Sequence, residues 1–282
     1  MPLIVIDTHV HMYDCFELAT FLASAYKNCQ VHAAHRQHHG PVLGVLLLTE
    51  SSWDHWFQQF VTFADQNTDI SHPGSSTWHF RRTNEDFTLF AESTQGEKLL
   101  IIAGRQLVTK EKFEVLALMT NQTFQDGMTI QESIEQVKNS GGMPVIPWAF
   151  GKWWGTRGKI LTELMTSAVM SQVLLGDNSG RPKFLPYPEH FTLAHTQGIR
   201  ILPGSDPLPL PSEYWRPCSV GLSFKTALDD ATPGIHLQRL ILDTGTATTA
   251  YFQHERLSRF IKNQIALNMR KHRPATAYSE TK

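Results

Sequence analysis

The stretch Leu3-Ile4-Val5-Ile6-Asp7-Thr8-His9-Val10-His11 decides how this chain folds. Its first four residues are apolar and mostly β-branched, which predicts a strand that is buried on both faces. Polar residues begin at Asp7. His9 and His11 are two positions apart, so in extended backbone their side chains project from the same face. Two imidazoles side by side at a strand end form half of a metal site; the alternative is that each is bonded locally to polar neighbours.

The pattern of that first stretch recurs along the chain. Apolar segments that predict further strands occur at residues 42–48, 99–103, 115–119, 143–146, 173–175 and 198–202. Helical patterns occur at residues 16–27, 53–63, 129–139, 160–167, 190–197 and 237–243, and a hairpin is expected at 78–82 and 87–92. Alternating units of this kind predict a parallel α/β barrel or a doubly wound sheet. Both architectures place their functional sites at the carboxyl ends of the strands, where the polar edges lie here.

Composition narrows the class of protein. The chain has 282 residues and a formal net charge of -1, which gives no general affinity for nucleic acid or for a membrane surface. No apolar run approaches the roughly 20 residues of a membrane span, and the N-terminus lacks the features of a signal peptide. The three cysteines are widely spaced, which is typical of a reducing compartment. We therefore expect a cytoplasmic protein that needs neither nucleic acid nor membrane as a partner.

The polar edges resemble the motif series of the polymerase and histidinol phosphatase (PHP) family of metal-dependent hydrolase barrels, over about residues 4–210. The Asp-x-His-x-His run at residues 7–11 is similar to the first motif, which the amidohydrolase superfamily shares. Thr49-Glu50-Ser51 lies where the family has Thr-Asp-His, and Gly204-Ser205-Asp206-Pro207-Leu208 lies where it has Gly-Ser-Asp-Ala-His. The resemblance implies an α/β fold: a single, distorted TIM-like barrel of about seven strands over residues 1–269, followed by a polar tail, 270–282.

This chain departs from the family at several ligand positions. Ser51, Trp148 and Leu208 stand where the family has histidines, and Gln106 stands near the position of its bridging glutamate. Each replacement removes a lone pair or an anion that a dication requires. The resemblance therefore implies at most one divalent ion, Zn, Mn or Fe, held by the remaining ligands His9, His11 and Asp206. The alternative is a degenerate site that holds no metal.

Two acids are candidates for catalysis and four residues for binding. Glu50 and Asp177 follow predicted strands and are expected to orient a water molecule or to accept its proton. The binding candidates, which follow two neighbouring strands, are Trp148, Lys152, Arg157 and Arg181. Arginine and lysine suit phosphate or carboxylate, and tryptophan can stack on a ring. The alternative is a solvated cationic loop with its tryptophans in the core.

Three functions are compatible with these residues. The first is a metal-dependent hydrolase of a small anionic molecule, foremost a phosphoester. The second is a PHP-like barrel without catalysis that binds an anionic ligand or a protein. The third, an amidohydrolase-type enzyme, ranks last because the sequence has no recognisable carbamylated lysine or later strand histidines. The histidine-rich segment 32–39 is expected to be a solvated helix end.

Overall fold

The fold is that of a computed structural model, which describes residues 1–74, 76–178, 185–252, 258–259, 261–263 and 265–266. The strands within these ranges are β1 (Leu3–Val10), β2 (Val42–Leu48), β3 (Trp78–Arg82), β4 (Thr88–Ser93), β5 (Lys98–Ile102), β6 (Gly104–Val108), β7 (Glu114–Leu118), β8 (Met143–Pro147), β9 (Leu174–Asn178), β10 (Ile201–Gly204), β11 (Gly221–Lys225) and β12 (Thr249–Tyr251). The α-helices are α1 (Leu18–His35), α2 (Trp56–Gln66), α3 (Ile130–Asn139), α4 (Thr156–Met165), α5 (Glu189–Thr196) and α6 (Pro233–Leu242).

Several predicted elements are confirmed with shifted ends. Thr129 caps α3 through a capping box with Glu132, as its spacing predicts. β3 and β4 form the expected antiparallel hairpin. α1 ends at His35, within the histidine-rich segment, and His35 and His39 are exposed as expected of a solvated helix end. By contrast, His32 is buried, with its Nε2 2.8 Å from Oγ of Ser223. β6, β11 and β12 were not predicted as separate strands.

The strands form two mixed sheets. One has the order β12-β11-β1-β2-β5-β4-β3 and the other β10-β9-β8-β7-β6. Parallel pairing joins β1 to β2 to β5, and β8 to β9 to β10, while the other neighbours are antiparallel. The closed parallel barrel is therefore not confirmed. Antiparallel hairpins interrupt the βα repeat, and each sheet is open, with an edge strand on either side.

The two sheets touch where their parallel strands end. The backbone N–H of Asp206, just after β10, donates to the carbonyl of His9 in β1 at 2.9 Å. Glu50, just after β2, forms an isolated parallel bridge with Arg105 of β6. The carboxyl ends of β1, β2, β9 and β10 are thereby brought into one region.

Three layers of apolar side chains surround the sheets. Alternation along β1 shows this directly, because Leu3 and Val5 pack with α1 and α2, whereas Ile4 and Ile6 pack in the layer that both sheets and α6 share. A third cluster lies between the second sheet and helices α3, α4 and α5. The predicted burial of residues 3–6 is confirmed and extends along the whole of β1, so the polar residues that end the strand also lie in the interior.

The C-terminal part of the chain is described only in short stretches. Helical residues occur at 258–259, 261–263 and 265–266. The predicted polar tail, 270–282, lies outside the described residues, so the boundary at 269 stays a prediction. None of the helices in the described ranges combines the length and the apolar character that a membrane span requires.

Candidate metal site

Three side chains converge at the ends of β1 and β10. The Nε2 atoms of His9 and His11 lie 3.1 Å apart, and Oδ1 of Asp206 lies 3.6 Å from the first and 3.7 Å from the second. His9 and His11 are buried, and the Asp206 side chain is one quarter exposed. Tetrahedral bonds of about 2.0–2.1 Å to a zinc ion put neighbouring ligand atoms about 3.3 Å apart. The two nitrogens and the oxygen therefore fit one divalent ion with a coordination position left open.

Asp7 holds the backbone around these ligands. Its carboxylate is fully buried and accepts from three backbone N–H groups: His9 at 3.2 Å, Ser205 at 2.9 Å and Cys218 at 2.8 Å. Burial raises the pKa of Asp7 to about 6, although the hydrogen bonds oppose the shift. Because the three segments are far apart in sequence, this one carboxylate joins the end of β1 to the end of β10 and to the loop before β11.

Close backbone approach puts Asp206 in place. A Cβ atom at Gly204 would collide with the Cβ and backbone N of His9, so only glycine allows β10 to lie this near β1. Asp206 itself has φ 46°, in the left-handed region that aspartate tolerates. Asn178, at the end of β9, donates from Nδ2 to Oδ2 of Asp206 at 2.8 Å. Asp206 is thus oriented by both its backbone and its side-chain partner.

The ligands open onto a cavity of about 570 Å³. Its lining residues, most of which have polar side chains, come from both sheets and their loops: His11, Tyr13, Ser51, Trp53, Asp54, Gln106, Glu114, Ala149, Lys152, Asn178, Asp206, Leu208 and Pro209. Tyr13 stacks on His11 with ring centroids 5.6 Å apart. Asp54 accepts from the backbone N and the hydroxyl of Ser51. The sequence reasoning missed Tyr13, Asp54 and Glu114, which lie in loops or in a strand with no family motif.

The environment keeps His11 neutral at physiological pH. Burial and the nearby His9 lower the pKa of His11 to about 4, and the negative charges of Asp206 and Asp54 oppose this shift. Oγ1 of Thr49 lies 3.5 Å from its Nε2. A neutral imidazole keeps a lone pair on one ring nitrogen, which is the form that binds a metal ion.

The structure places Glu50 beside this region but not in the cavity lining. Its side chain lies toward α2, where Oε1 accepts from the N–H of Phe57 at 2.6 Å. Oε2 lies 3.2 Å from Nη1 of Arg105, which also donates to the carbonyls of Ser51 and Asp54. Burial raises the pKa of Glu50 to about 7 despite these partners. Because strand residues alternate between faces, Thr49 faces His11 and Glu50 faces the helix.

The same alternation separates Asp177 and Trp148 from the cavity. Leu174 packs between the sheets and Leu175 packs on the helix side, so Asn178 faces the cavity and Asp177 the helices. Trp148 is buried in the helix-side cluster and lines a separate cavity between α4 and α5. Neither side chain lines the cavity that holds His11 and Asp206.

The predicted cations are divided between two roles. Lys152 lines the cavity and is paired with Glu114. Arg157 donates from Nε to the carbonyl of Lys152 at 3.0 Å and from Nη2 to that of Gly151 at 2.9 Å, so it holds the loop rather than lining the cavity. Arg181 lies outside the described residues. Of the three predicted binding residues within the described ranges, only Lys152 lines the cavity with His11 and Asp206.

Comparisons with known proteins show structural similarity alone. No family model matches this chain, and no curated protein does. The solved structure of PsfC from Pseudomonas syringae PB-5123 has a TM-score of 0.50 at 14% identity, covering 96% of this chain and 98% of that one. This likeness shows a shared fold.

Two further solved structures are similar over less of their own length. Endonuclease Q, in complex with a 27-mer duplex that has an abasic lesion, gives a TM-score of 0.48 at 12% identity, covering 85% of this chain and 56% of that one. A two-domain protein from Bacteroides vulgatus ATCC 8482, which contains a predicted PHP-like metal-dependent phosphoesterase, gives 0.42 at 13%, covering 89% and 64%.

Proposed function

We propose that this protein is a metal-dependent hydrolase of a small anionic molecule, with a phosphoester as the first candidate. One observation carries the proposal: His9, His11 and Asp206 bring two nitrogens and an oxygen within 4.8 Å of one another, and two of the three residues line a polar cavity. Zinc, manganese and iron all accept this donor set. A bound divalent ion would activate a water molecule and polarise the bond to be cleaved.

The other residues of the cavity supply binding and proton transfer. Lys152, which lines the cavity and pairs there with Glu114, is the cation that we assign to the negative charge of the substrate, since Arg157 donates to backbone carbonyls and does not line the cavity. Asp54 lines the cavity and its charge affects the pKa of His11, so we assign it the role of accepting a proton. In this proposal Asp54 takes the role that the sequence predicted for Glu50 and Asp177.

The fold and location that the sequence predicted are also proposals. We infer a distorted barrel formed by seven strands, β1, β2 and β6–β10. The contact of β1 with β10 and the bridge between Glu50 and Arg105 support it, because both join the two sheets. The charge balance and the spaced cysteines support a cytoplasmic protein.

A binding protein without catalysis is the second candidate. Ser51, Gln106 and Leu208 stand where the family that the sequence resembles has metal ligands, and all three line the cavity. The cavity therefore offers a metal ion fewer ligands than the sites of that family do. In that case the cavity would hold an anionic ligand through Lys152 without turnover.

A paired assay separates the two candidates. Phosphoesters are screened with added Mn or Zn, and phosphate binding is measured by calorimetry, on the wild type and on His9→Ala. The hydrolase proposal expects turnover that His9→Ala abolishes. Phosphate binding by a wild type that cleaves no ester would favour the binding protein, and equal activity of both proteins would place the chemistry elsewhere. His79→Ala, on an exposed strand residue, is the matched control.

A further inference from the structure

Asn178 is the residue of the cavity that packing explains least. It ends β9, where it pairs in parallel register with Gly204, two residues before Asp206. The residue is 8% exposed, and its Oδ1 atom has no hydrogen-bond partner within the part of the chain that the structure describes. An unpaired acceptor in a buried position costs stability, so an apolar residue would serve packing better here.

The other atom of this amide acts on Asp206. Nδ2 donates to Oδ2 at 2.8 Å, which occupies that carboxylate oxygen. Oδ1 of Asp206 is the oxygen that lies 3.6 Å from Nε2 of His9 and 3.7 Å from Nε2 of His11. One oxygen is therefore committed to the amide, and the other faces the two imidazoles.

We propose that Asn178 is a positioning residue that makes Asp206 a ligand through one oxygen only. The inference rests on the proposed metal centre and assigns a role that no sequence motif indicated. Hydrogen bonds to metal ligands fix their orientation, and removing one typically lowers metal affinity about 10- to 100-fold. Without the amide, Oδ2 is free to bind the ion as well, or the carboxylate is free to rotate away.

Asn178→Leu removes the amide while keeping a similar volume. We expect its affinity for Zn, measured by calorimetry on untagged protein, to fall about 10- to 100-fold. The melting temperature of the metal-free protein should stay the same or rise, because the unpaired acceptor is gone. Asn121→Leu is the matched control, since Asn121 contacts Gln58 and Asp86 outside the cavity lining, and it should bind Zn as the wild type does.

Cobalt gives a second readout that a purely structural role would not change. When a carboxylate binds Co²⁺ through both oxygens, the coordination number rises and the visible absorption weakens. We expect weaker absorption per bound ion for Asn178→Leu than for the wild type. If the leucine variant does not fold, Asn178→Ala repeats both measurements without added bulk.

The outcomes are distinguishable. A variant with wild-type affinity and an unchanged cobalt spectrum would overturn the positioning role while leaving the metal centre in place. A lower melting temperature with unchanged affinity would assign Asn178 to stability alone. A wild type that binds neither Zn nor Co²⁺ would contradict the metal centre itself and, with it, this role.

Discussion

The Nε2 atoms of His9 and His11 lie 3.1 Å apart at the buried end of β1. Neutral rings at this distance share one proton between their nitrogens, or both present lone pairs to one ion. The stacked ring of Tyr13 and the hydroxyl of Thr49 flank His11 on this edge. The surroundings of the two rings, as well as their spacing in the sequence, therefore hold the pair in an arrangement that could bind one ion.

Asp7→Ala tests whether this geometry depends on one carboxylate. The substitution leaves three buried N–H groups, of His9, Ser205 and Cys218, without their acceptor. Each costs about 1–3 kcal/mol, and the removal of a costly buried charge offsets part of the loss. We expect the free energy of unfolding in urea to fall by at least about 2 kcal/mol.

The exposed Asp230, which contacts Lys98, provides the control for that measurement. Asp230→Ala should change the free energy of unfolding by less than about 0.5 kcal/mol. Equal effects of the two substitutions on the free energy of unfolding would contradict the claim that Asp7 holds the three segments together.

Glu50 predicts a pH dependence of stability. Its pKa is raised from 4.5 to about 7 in the folded state, so folding favours its protonated form. The contribution of this group to the free energy of unfolding is fully present below pH 4.5 and is lost as the pH rises from there through about 7. The shift corresponds to about 3 kcal/mol. Urea unfolding from pH 5 to 8 should show the wild type losing stability relative to Glu50→Gln.

A flat difference between the two proteins from pH 5 to 8 would mean that Arg105 outweighs burial. In that case the ion pair at 3.2 Å would hold Glu50 ionised, and the wild type would lose stability relative to the variant only as the pH falls below about 4.5.

Lys152 should carry the affinity for an anion. Lys152→Met keeps the aliphatic stem and removes the charge that lines the cavity. We expect phosphate binding to the metal-loaded protein to weaken by about 1.5–3 kcal/mol, the scale of a hydrogen bond to a charged group. Calorimetry measures this directly.

Arg157 provides the contrast for Lys152. Because its Nε and Nη2 are bonded to loop carbonyls, Arg157→Met should act on stability more than on phosphate affinity. If Arg157→Met loses as much phosphate affinity as Lys152→Met or more, Arg157 binds the anion, as the sequence predicted, and the assignment to Lys152 is wrong.

The sequence located the polar edges but not the face of each residue. The spacing of His9 and His11 and the Gly-Ser-Asp edge at Asp206 were enough to predict that these three side chains converge. At β2 and β9 the prediction chose the charged residue, Glu50 or Asp177, whereas its neighbour faces the cavity. Neighbouring residues of a strand face opposite sides of the sheet, so an error of one position assigns a side chain to the wrong side. The correct side is known only once the apolar residues of the strand are seen to pack on one layer or the other.

The topology escaped prediction for a different reason. The hairpin units β6–β7 and β11–β12 are short strands whose pairing depends on distant partners, such as β1 with β11. Their local patterns resemble those of other short apolar segments, so the repeat of strand and helix suggested a parallel barrel. The capping box of α3, in contrast, follows from the local spacing of Thr129 and Glu132 and was predictable.

Metal content is the measurement that tests the central claim most directly. Untagged wild-type protein and a His9→Ala/His11→Ala double variant are incubated with Zn or Mn, dialysed and analysed for bound metal. The account predicts about one ion per chain in the wild type, at micromolar or tighter affinity, and none held at this site in the variant. Less than about a tenth of an equivalent in the wild type, or equal amounts in both proteins, would contradict it.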